Sequence, residues 1–406
     1  MTFVGIKKLS HEIIKHKAIQ NFIIIALISL LQIVSNVLLG RGLSKDDFGK
    51  FSFIINNIIS VFSVLFLFGQ ISTILRLFSS RDIQEFQWKK KLISFLLLII
   101  VLLVVASYLV VIFYQLTTIM FVIVLFGSFF ACCTMILAGI FRSKGKFNTA
   151  VLIERTHSVV FFIILLYTYF ILKNFDLTTI SLLKLISFSF VVPLLVYILL
   201  KWKEGPYQIK KNAIFEGLTL WEMSLTVLVL TNIDAFFIVK ILDYKEMALY
   251  SIIGSVMVIF NFAREAIFSV YSQKFAKIKD FNSIKVVKII ILISIVLTLF
   301  FIISTNFILQ ILFGGKYSAS YLLVILFCIY NTLFFLYVIP SCYFMGQGIK
   351  LELRKMMAIN IISVVLKISL IFLFSKFGLT GFLFASIISQ GLRTAGGYYI
   401  SFKKIL

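Results

Sequence analysis

The sequence predicts an all-α polytopic membrane protein with about twelve transmembrane helices. Two features of composition and one of arrangement lead there. Hydrophobic residues make up 61% of the 406 and charged residues only 14%, against roughly 25% in a soluble domain. The mean hydropathy is +1.09. The basic residues are gathered in every second loop between apolar runs, as in a chain that records its orientation across a bilayer.

The apolar runs lie near 18–39, 49–75, 92–113, 119–141, 149–172, 180–200, 217–240, 247–273, 287–312, 320–345, 356–375 and 379–401. Each reaches the roughly 17 residues needed to cross a ~30 Å hydrocarbon core. Each must be helical, because a span satisfies its own backbone hydrogen bonds. Twenty-seven basic residues fall on one side, among them Lys7, Lys8, Lys89, Lys90, Lys91, Arg142, Lys201, Lys274 and Lys355. The other side has nine: Arg41, Lys45, Lys50, Lys173, Lys184, Lys240, Lys245, Lys316 and Lys376. The richer side is expected to be cytoplasmic, with both termini on it, in the plasma (inner) membrane. No cleavable signal peptide is expected, since the first run is of span length. Residues 3–17 read as a basic amphipathic helix lying on the membrane surface, an interfacial anchor.

Charge and side-chain chemistry narrow the function. The net charge of +23 is spread over many short loops, which argues against a nucleic-acid partner. Cys132, Cys133, Cys328 and Cys342 sit inside apolar runs and read as core residues. His11, His16 and His157 form no ligand cluster, so neither metal nor cofactor is expected. There is no P-loop, no GxSxG and no HExxH, and the longest stretches between runs are about sixteen residues, as at 201–216. The chain is not expected to be an enzyme.

An internal repeat divides the sequence. Ser44-Lys45-Asp46-Asp47-Phe48-Gly49-Lys50-Phe51-Ser52 follows the first run. Asp243-Tyr244-Lys245-Glu246-Met247-Ala248-Leu249-Tyr250-Ser251 follows the seventh, 199 residues later. Two six-helix lobes around a central cavity are expected, the N-terminal at 1–204 and the C-terminal at 205–406.

Polar residues recur at helical spacing inside several runs. Candidate cavity-lining residues are Gln32 and Asn36, Asn56 and Gln70, Asn261, Asn360 and Gln390, with Ser363 and Ser386 on the same stripes. Small and polar residues also pack helices together, but the charges among them are harder to dismiss. Lys367 falls almost at the centre of its run and Arg393 within a turn of the centre of the next. A basic residue there costs roughly 2.5–3.5 kcal/mol even on lenient insertion scales. Arg264 is a third deep cation, while Arg76 and Arg155 guard the ends of the second and fifth runs. The deep acids are Asp234 and Glu265, expected to neutralise a deep base or to carry a proton. The excess of base points to a cavity suited to an anion, and Arg holds phosphate through paired donors.

Several stretches, taken in order, carry a resemblance over nearly the whole chain. They are Leu38-Leu39-Gly40-Arg41-Gly42-Leu43-Ser44-Lys45-Asp46-Asp47-Phe48-Gly49-Lys50-Phe51, then Leu67-Phe68-Gly69-Gln70-Ile71 and Ile74-Leu75-Arg76. In the second half come Asn232-Ile233-Asp234, Asp243 to Ser251, Leu312-Phe313-Gly314-Gly315-Lys316-Tyr317, and Phe377-Gly378-Leu379-Thr380-Gly381. With twelve spans in two halves, the chain resembles the Wzx-type polysaccharide (O-antigen or capsule repeat-unit) flippases of the multidrug/oligosaccharidyl-lipid/polysaccharide (MOP) exporter superfamily, which have a MATE-like fold. It departs from that pattern at Ala235, where relatives often have Arg, and at Leu249, where they often have Gly. The resemblance implies movement of an undecaprenyl-pyrophosphate-linked oligosaccharide from the cytoplasmic to the outer leaflet. A polysaccharide polymerase and a chain-length regulator would be its partner proteins, with membrane lipid around it. Two other readings stay open at this point: a MATE-like, ion-coupled exporter of small molecules, and a non-transporting subunit of a polysaccharide assembly complex.

Overall fold

The computed structural model describes residues 23–24, 26–70, 74, 89–172, 175–201, 211–277, 283–346 and 350–402. The amphipathic stretch 3–17, Arg76 and most of the loop 201–216 lie outside the described residues. Among the described residues the secondary structure is helical throughout, with no strand.

In chain order the helices are α1 (Ala26–Gly42), α2 (Lys45–Leu65), α3 (Lys89–Phe113), α4 (Thr118–Ser143), α5 (Phe147–Tyr167, running on as a π-helical turn Thr168–Leu172) and α6 (Leu177–Lys201). Then come α7 (Lys211–Ile241), α8 (Tyr244–Val256), α9 (Val258–Lys277), α10 (Ser283–Phe313), α11 (Tyr321–Leu336), α12 (Val338–Gly346), α13 (Lys350–Phe374) and α14 (Gly378–Phe402). Among the described residues nine helices are long and apolar enough to span a bilayer, one of these being the run Leu351–Ser401, which contains most of both α13 and α14. The pair α8 and α9 passes the same test as one span bent by 46°, and α1 is a shorter apolar helix. Each expected run thus has its helix, and the chain is a multi-pass membrane protein.

The helices start where local chemistry dictates. Asp176 accepts from the Thr179 N–H at 2.8 Å and Asp243 from the Glu246 N–H at 2.8 Å. Ser320 caps α11 through the Leu323 N–H at 3.3 Å. Each supplies one of the donors left unpaired in a first turn with an acceptor. Ser44 accepts from the Asp47 N–H at 3.0 Å while donating to the Asp47 carboxylate at 2.7 Å. Ser44 and Asp243 are the equivalent positions of the sequence repeat, so both copies begin a helix in the same way.

The chain packs as two compact units, Met1–Leu38 with Phe51–Leu225, and Leu39–Lys50 with Thr226–Leu406. In the first, α4 is the central helix, packed against α2, α3, α5 and α6. The helix α3 shows why most of these spans look apolar all round: Leu92, Ile99 and Leu103 are buried while Leu97, Val101 and Leu109 are exposed, one face for neighbours and one for lipid. In the second unit α14 packs on both α13 and α11, and α9 on α12.

The turn Leu39–Lys50 belongs to the second unit and is held there by reciprocal capping. Arg41 donates from Nε to the Leu312 carbonyl at 2.6 Å and from Nη2 to the Ile311 carbonyl at 2.8 Å. Lys316 donates back to the Gly40 carbonyl at 2.9 Å and to that of Leu43. The C-terminal carbonyls of α1 and α10 are thus each satisfied by a cation that belongs to the other helix or the turn after it. Gly314 and Gly315 make the tight turn that returns Lys316, with φ of 61° and 75°. Such backbone favours glycine. At Gly49 the contact is closer still: a Cβ there would lie 1.8 Å from the Tyr244 carbonyl oxygen.

Candidate functional site

The deep charges of the second unit come together where α7, α13 and α14 face one another. Thr226, Leu230 and Asp234 share one face of α7. Asn360, Ser363 and Lys367 share a face of α13, and Ser386, Gln390 and Arg393 a face of α14, all at helical spacing. Lys367 is 1% exposed, Asp234 1% and Arg393 2%.

Lys367 is not a free cation. Its Nζ lies 2.7 Å from Asp234 Oδ2 and donates to the Leu230 carbonyl, also at 2.7 Å. The same carboxylate oxygen accepts from the Ser386 hydroxyl at 2.8 Å and from the Tyr250 hydroxyl at 3.4 Å. Asp234 Oδ1 is buried and has no hydrogen-bond partner among the described residues. The pair has the multiple donors and acceptors that a buried ion pair needs to offset its desolvation. Asp234 and Lys367 thus form one buried ion pair between α7 and α13.

Arg393 is held differently. Its Nε donates to Asn360 Oδ1 at 3.2 Å and its Nη1 to Gln390 Oε1 at 3.3 Å. The guanidinium lies over Tyr337, 3.8 Å from Cζ to the ring centre. Those amides are themselves placed, Asn360 by donation to Thr226 at 3.4 Å and Gln390 by donation to Thr394 at 3.3 Å. Among the described residues the hydrogen-bond partners of Arg393, these amides and the Tyr337 hydroxyl, are thus neutral and do not cancel its charge. Arg264 on α9 lies over Phe334, 4.1 Å from Cζ to the ring centre. It is half-buried and close enough to Glu265 and Arg393 to feel both charges, one attractive and one repulsive. Asn261, on the same helix, is half-buried.

The remaining sequence candidates lie in the first unit. Gln32, Asn36, Gln70 and Arg155 are half-buried, and Asn56 is exposed. Asn56 donates to the Ser52 hydroxyl at 3.0 Å and Asn57 to the Ser52 carbonyl at 3.3 Å, beside the π-helical turn Phe53–Ile58 within α2. Glu154, next to Arg155, pairs with Arg142 at 2.6 Å.

Lys184, counted above with the loop residues of the sparser side, is instead buried within α6 at 6% exposure. Its Nζ lies 4.4 Å from the centre of the Phe161 ring and 5.2 Å from that of Phe188. His157 stacks on Phe188 at 4.6 Å. In the sequence Lys184 looks interfacial because it stands only about two turns from a helix start. The aromatic partners Tyr330, Phe334 and Tyr337, with Tyr250 beside Asp234, carry no signal of their own, because aromatic residues in an apolar run look like core; Ser386 lies on the polar stripe of its run. Among the described residues no group of three or more His, Cys, Asp and Glu is placed to hold a metal ion.

The architecture has solved counterparts. A multidrug resistance MATE family transporter of the MOP superfamily, in an inward-facing conformation, matches over 93% of this chain and 94% of its own, with a TM-score of 0.69 at 15% identity. The lipid II flippase MurJ, in an inward closed conformation, matches over 94% of this chain and 87% of its own, with a TM-score of 0.74 at 15% identity. An outward-facing MATE family transporter of the MOP superfamily gives a TM-score of 0.67 at 15% identity, over 96% and 95% of the two chains. This chain has the MATE/MurJ fold. No protein-family model and no curated protein matches the sequence, so the likeness is one of fold, carried at low identity through nearly the whole length. All of these neighbours are transporters or flippases by name, none an enzyme.

Proposed function

We propose that this chain is a flippase that moves undecaprenyl-pyrophosphate-linked oligosaccharide repeat units from the cytoplasmic to the outer leaflet for surface polysaccharide synthesis, either O-antigen or capsule. The observation that carries this reading is Arg393, a guanidinium 2% exposed whose hydrogen-bond partners among the described residues are neutral, two amides and the Tyr337 hydroxyl. Burying a cation without an acid is expensive, and holding it with neutral acceptors keeps its charge for a ligand. A diphosphate matches that charge and the paired donors of a guanidinium. The fold shared with a protein named as a lipid II flippase supports a lipid-linked cargo. The MATE likeness keeps export of small molecules as the rival reading, and an excess of buried base disfavours organic cations as its cargo.

In this proposal Arg393 and Arg264, with Arg76 and Arg155 of the other half, present positive charge to the pyrophosphate, and Lys367 is the member of that cationic cluster paired with Asp234. Gln32, Asn36, Asn56, Gln70, Asn261, Asn360 and Gln390 offer polar contacts to the sugars, and the prenyl tail stays in lipid. Rocking of the halves 1–204 and 205–406 exposes the site alternately to each side. The protein sits in the inner membrane with both termini cytoplasmic, beside a polymerase and a chain-length regulator. The test is flipping of an undecaprenyl-pyrophosphate oligosaccharide in proteoliposomes, read by access of an external glycosidase. Arg393→Ala should abolish it and Arg393→Lys retain part, at equal protein content. Full flipping by Arg393→Ala would overturn the reading.

A further inference from the structure

The three deep cations of the second unit share a feature that their own helices do not reveal. Tyr330, Phe334 and Tyr337 occupy positions i, i+4 and i+7 on α11 and the residue that ends it, one face of a helix over roughly 10 Å. Lys367 Nζ lies 5.8 Å from the Tyr330 ring centre, Arg264 Cζ 4.1 Å from that of Phe334, and Arg393 Cζ 3.8 Å from that of Tyr337. Tyr330 and Phe334 stack on each other at 6.4 Å with planes 17° apart. Three helices, α13, α9 and α14, thus each deliver one cation to successive rungs of a single aromatic ladder. An aromatic face attracts a cation without neutralising it, so the ladder sets a row of positive charge and leaves that charge available.

The rungs are not equivalent. Lys367 at the first rung is salt-bridged to a carboxylate, with Asp234 Oδ2 at 2.7 Å. Arg393 at the last has, among the described residues, only neutral partners for its hydrogen bonds, the amides of Asn360 and Gln390 and the hydroxyl of Tyr337, and Arg264 in the middle is the half-buried one. We propose that the ladder is a binding track for a diphosphate: Arg264 and Arg393 hold the anion, and Asp234 is a resident counter-anion that stops Lys367 from holding it as well. Tyr330, Phe334 and Tyr337 act as positioning residues. The inference rests on the flippase reading and adds the reason for an acid in a site built for anions. A carrier has to release what it binds, and three free cations in one buried row would retain a diphosphate. Asp234 occupies the third.

The experiment is calorimetric titration of inorganic pyrophosphate into the full chain in lipid nanodiscs, alongside the flipping assay. Asp234→Asn keeps the shape of the side chain and frees the Lys367 ammonium. It should bind pyrophosphate about tenfold tighter than wild type, the size of one added charge-assisted hydrogen bond, while flipping more slowly. Lys367→Met together with Asp234→Asn should return the affinity to that of wild type. A role for Asp234 in folding or in organising the site predicts the reverse, so weaker or unchanged binding in Asp234→Asn overturns the proposal. A second arm does not depend on that variant: Tyr337→Leu should bind pyrophosphate at least about tenfold more weakly while Tyr337→Phe, which keeps the ring face, binds as wild type. Equal affinities in that pair also overturn it. A wild-type chain that gives these affinities but flips no lipid-linked oligosaccharide keeps the track and removes the flippase reading instead. One that flips but shows no pyrophosphate binding removes the track alone.

Discussion

Lys316→Met tests the reciprocal capping of α1 and α10. The substitution keeps the stem and removes the ammonium from the carbonyls of Gly40, at 2.9 Å, and Leu43. Leu43 is 1% exposed and Gly40 is buried, so water does not fully replace the lost donor. A hydrogen bond to a charged group contributes about 1.5–3 kcal/mol, and a cation at a helix C-terminus about 0.3–1 kcal/mol more. Lys316 is only half-buried, which discounts both and leaves a loss of about 2 kcal/mol. The readout is thermal unfolding of the purified protein in detergent, with Lys376→Ala, an exposed residue in the short turn Ser375–Phe377, as the control. Arg41→Met removes the opposite cap. If the two caps hold one joint, loss of either loosens the other, and the double variant should be less destabilised than the sum by about 1 kcal/mol. A Lys316→Met protein as stable as the Lys376→Ala control would refute the reasoning, and strict additivity would refute the coupling.

Four further outcomes are expected. Gly49→Ala should destabilise by about 1–3 kcal/mol or more, since the new Cβ would meet the Tyr244 carbonyl oxygen at 1.8 Å and its carbon at 2.7 Å. Gly254→Ala, with nothing within 4 Å of its Cβ, should be neutral or stabilising in the same unfolding assay. Asp176→Ala should cost about 0.5–1 kcal/mol near neutral pH as a lost helix cap. The Thr179 side chain and N–H, bonded to the Asp176 carboxylate, hold its pKa below the ordinary 3.8. That contribution is therefore present above about pH 4 and lost as the pH falls through the lowered folded-state value, where the curves of variant and wild type should converge. Lys184→Met should leave the unfolding temperature unchanged or raised, because the Phe161 and Phe188 faces accept an apolar chain of similar length. A marked loss of stability would show that the ammonium holds α5 and α6 together.

The helices were legible because a span can bury neither an unpaired backbone nor a long polar run. Lys367, Arg393 and Asp234 stand out in the sequence for the same reason: ionised groups in apolar runs are costly to bury, and all three are buried. What periodicity does not reveal is which faces meet. The pairing of Lys367 with Asp234 joins positions 133 residues apart, and the Arg41 and Lys316 caps span 271 and 276. No local pattern encodes such a register. Tyr330, Phe334 and Tyr337 were hidden for a different reason, since an aromatic stripe in a chain with 46 Phe and 16 Tyr carries no contrast. Only the cations brought over it from three other helices single it out.

The contrast between Arg393 and Arg41 explains why neutral partners alone do not mark a binding site. Both guanidiniums donate to uncharged oxygens, amide side chains in one case and backbone carbonyls in the other. Arg41 is exposed, its charge is solvated, and the two carbonyls it satisfies would otherwise be orphans of a helix end. Its arrangement is complete as a structural device. Arg393 satisfies no such need. The two amides it meets come from α13 and from its own helix, and an apolar residue with apolar neighbours would fill the same volume at lower cost. Asn360 and Gln390 are therefore better understood as serving Arg393 than the reverse: they fix the guanidinium over Tyr337 and leave its charge intact. A cluster that keeps a charge buried, oriented and unneutralised is stabilised only when something of opposite sign enters. Under the proposed function that something is the diphosphate, and the ion pair of Lys367 and Asp234 is the other way, in the same unit, of holding a buried cation.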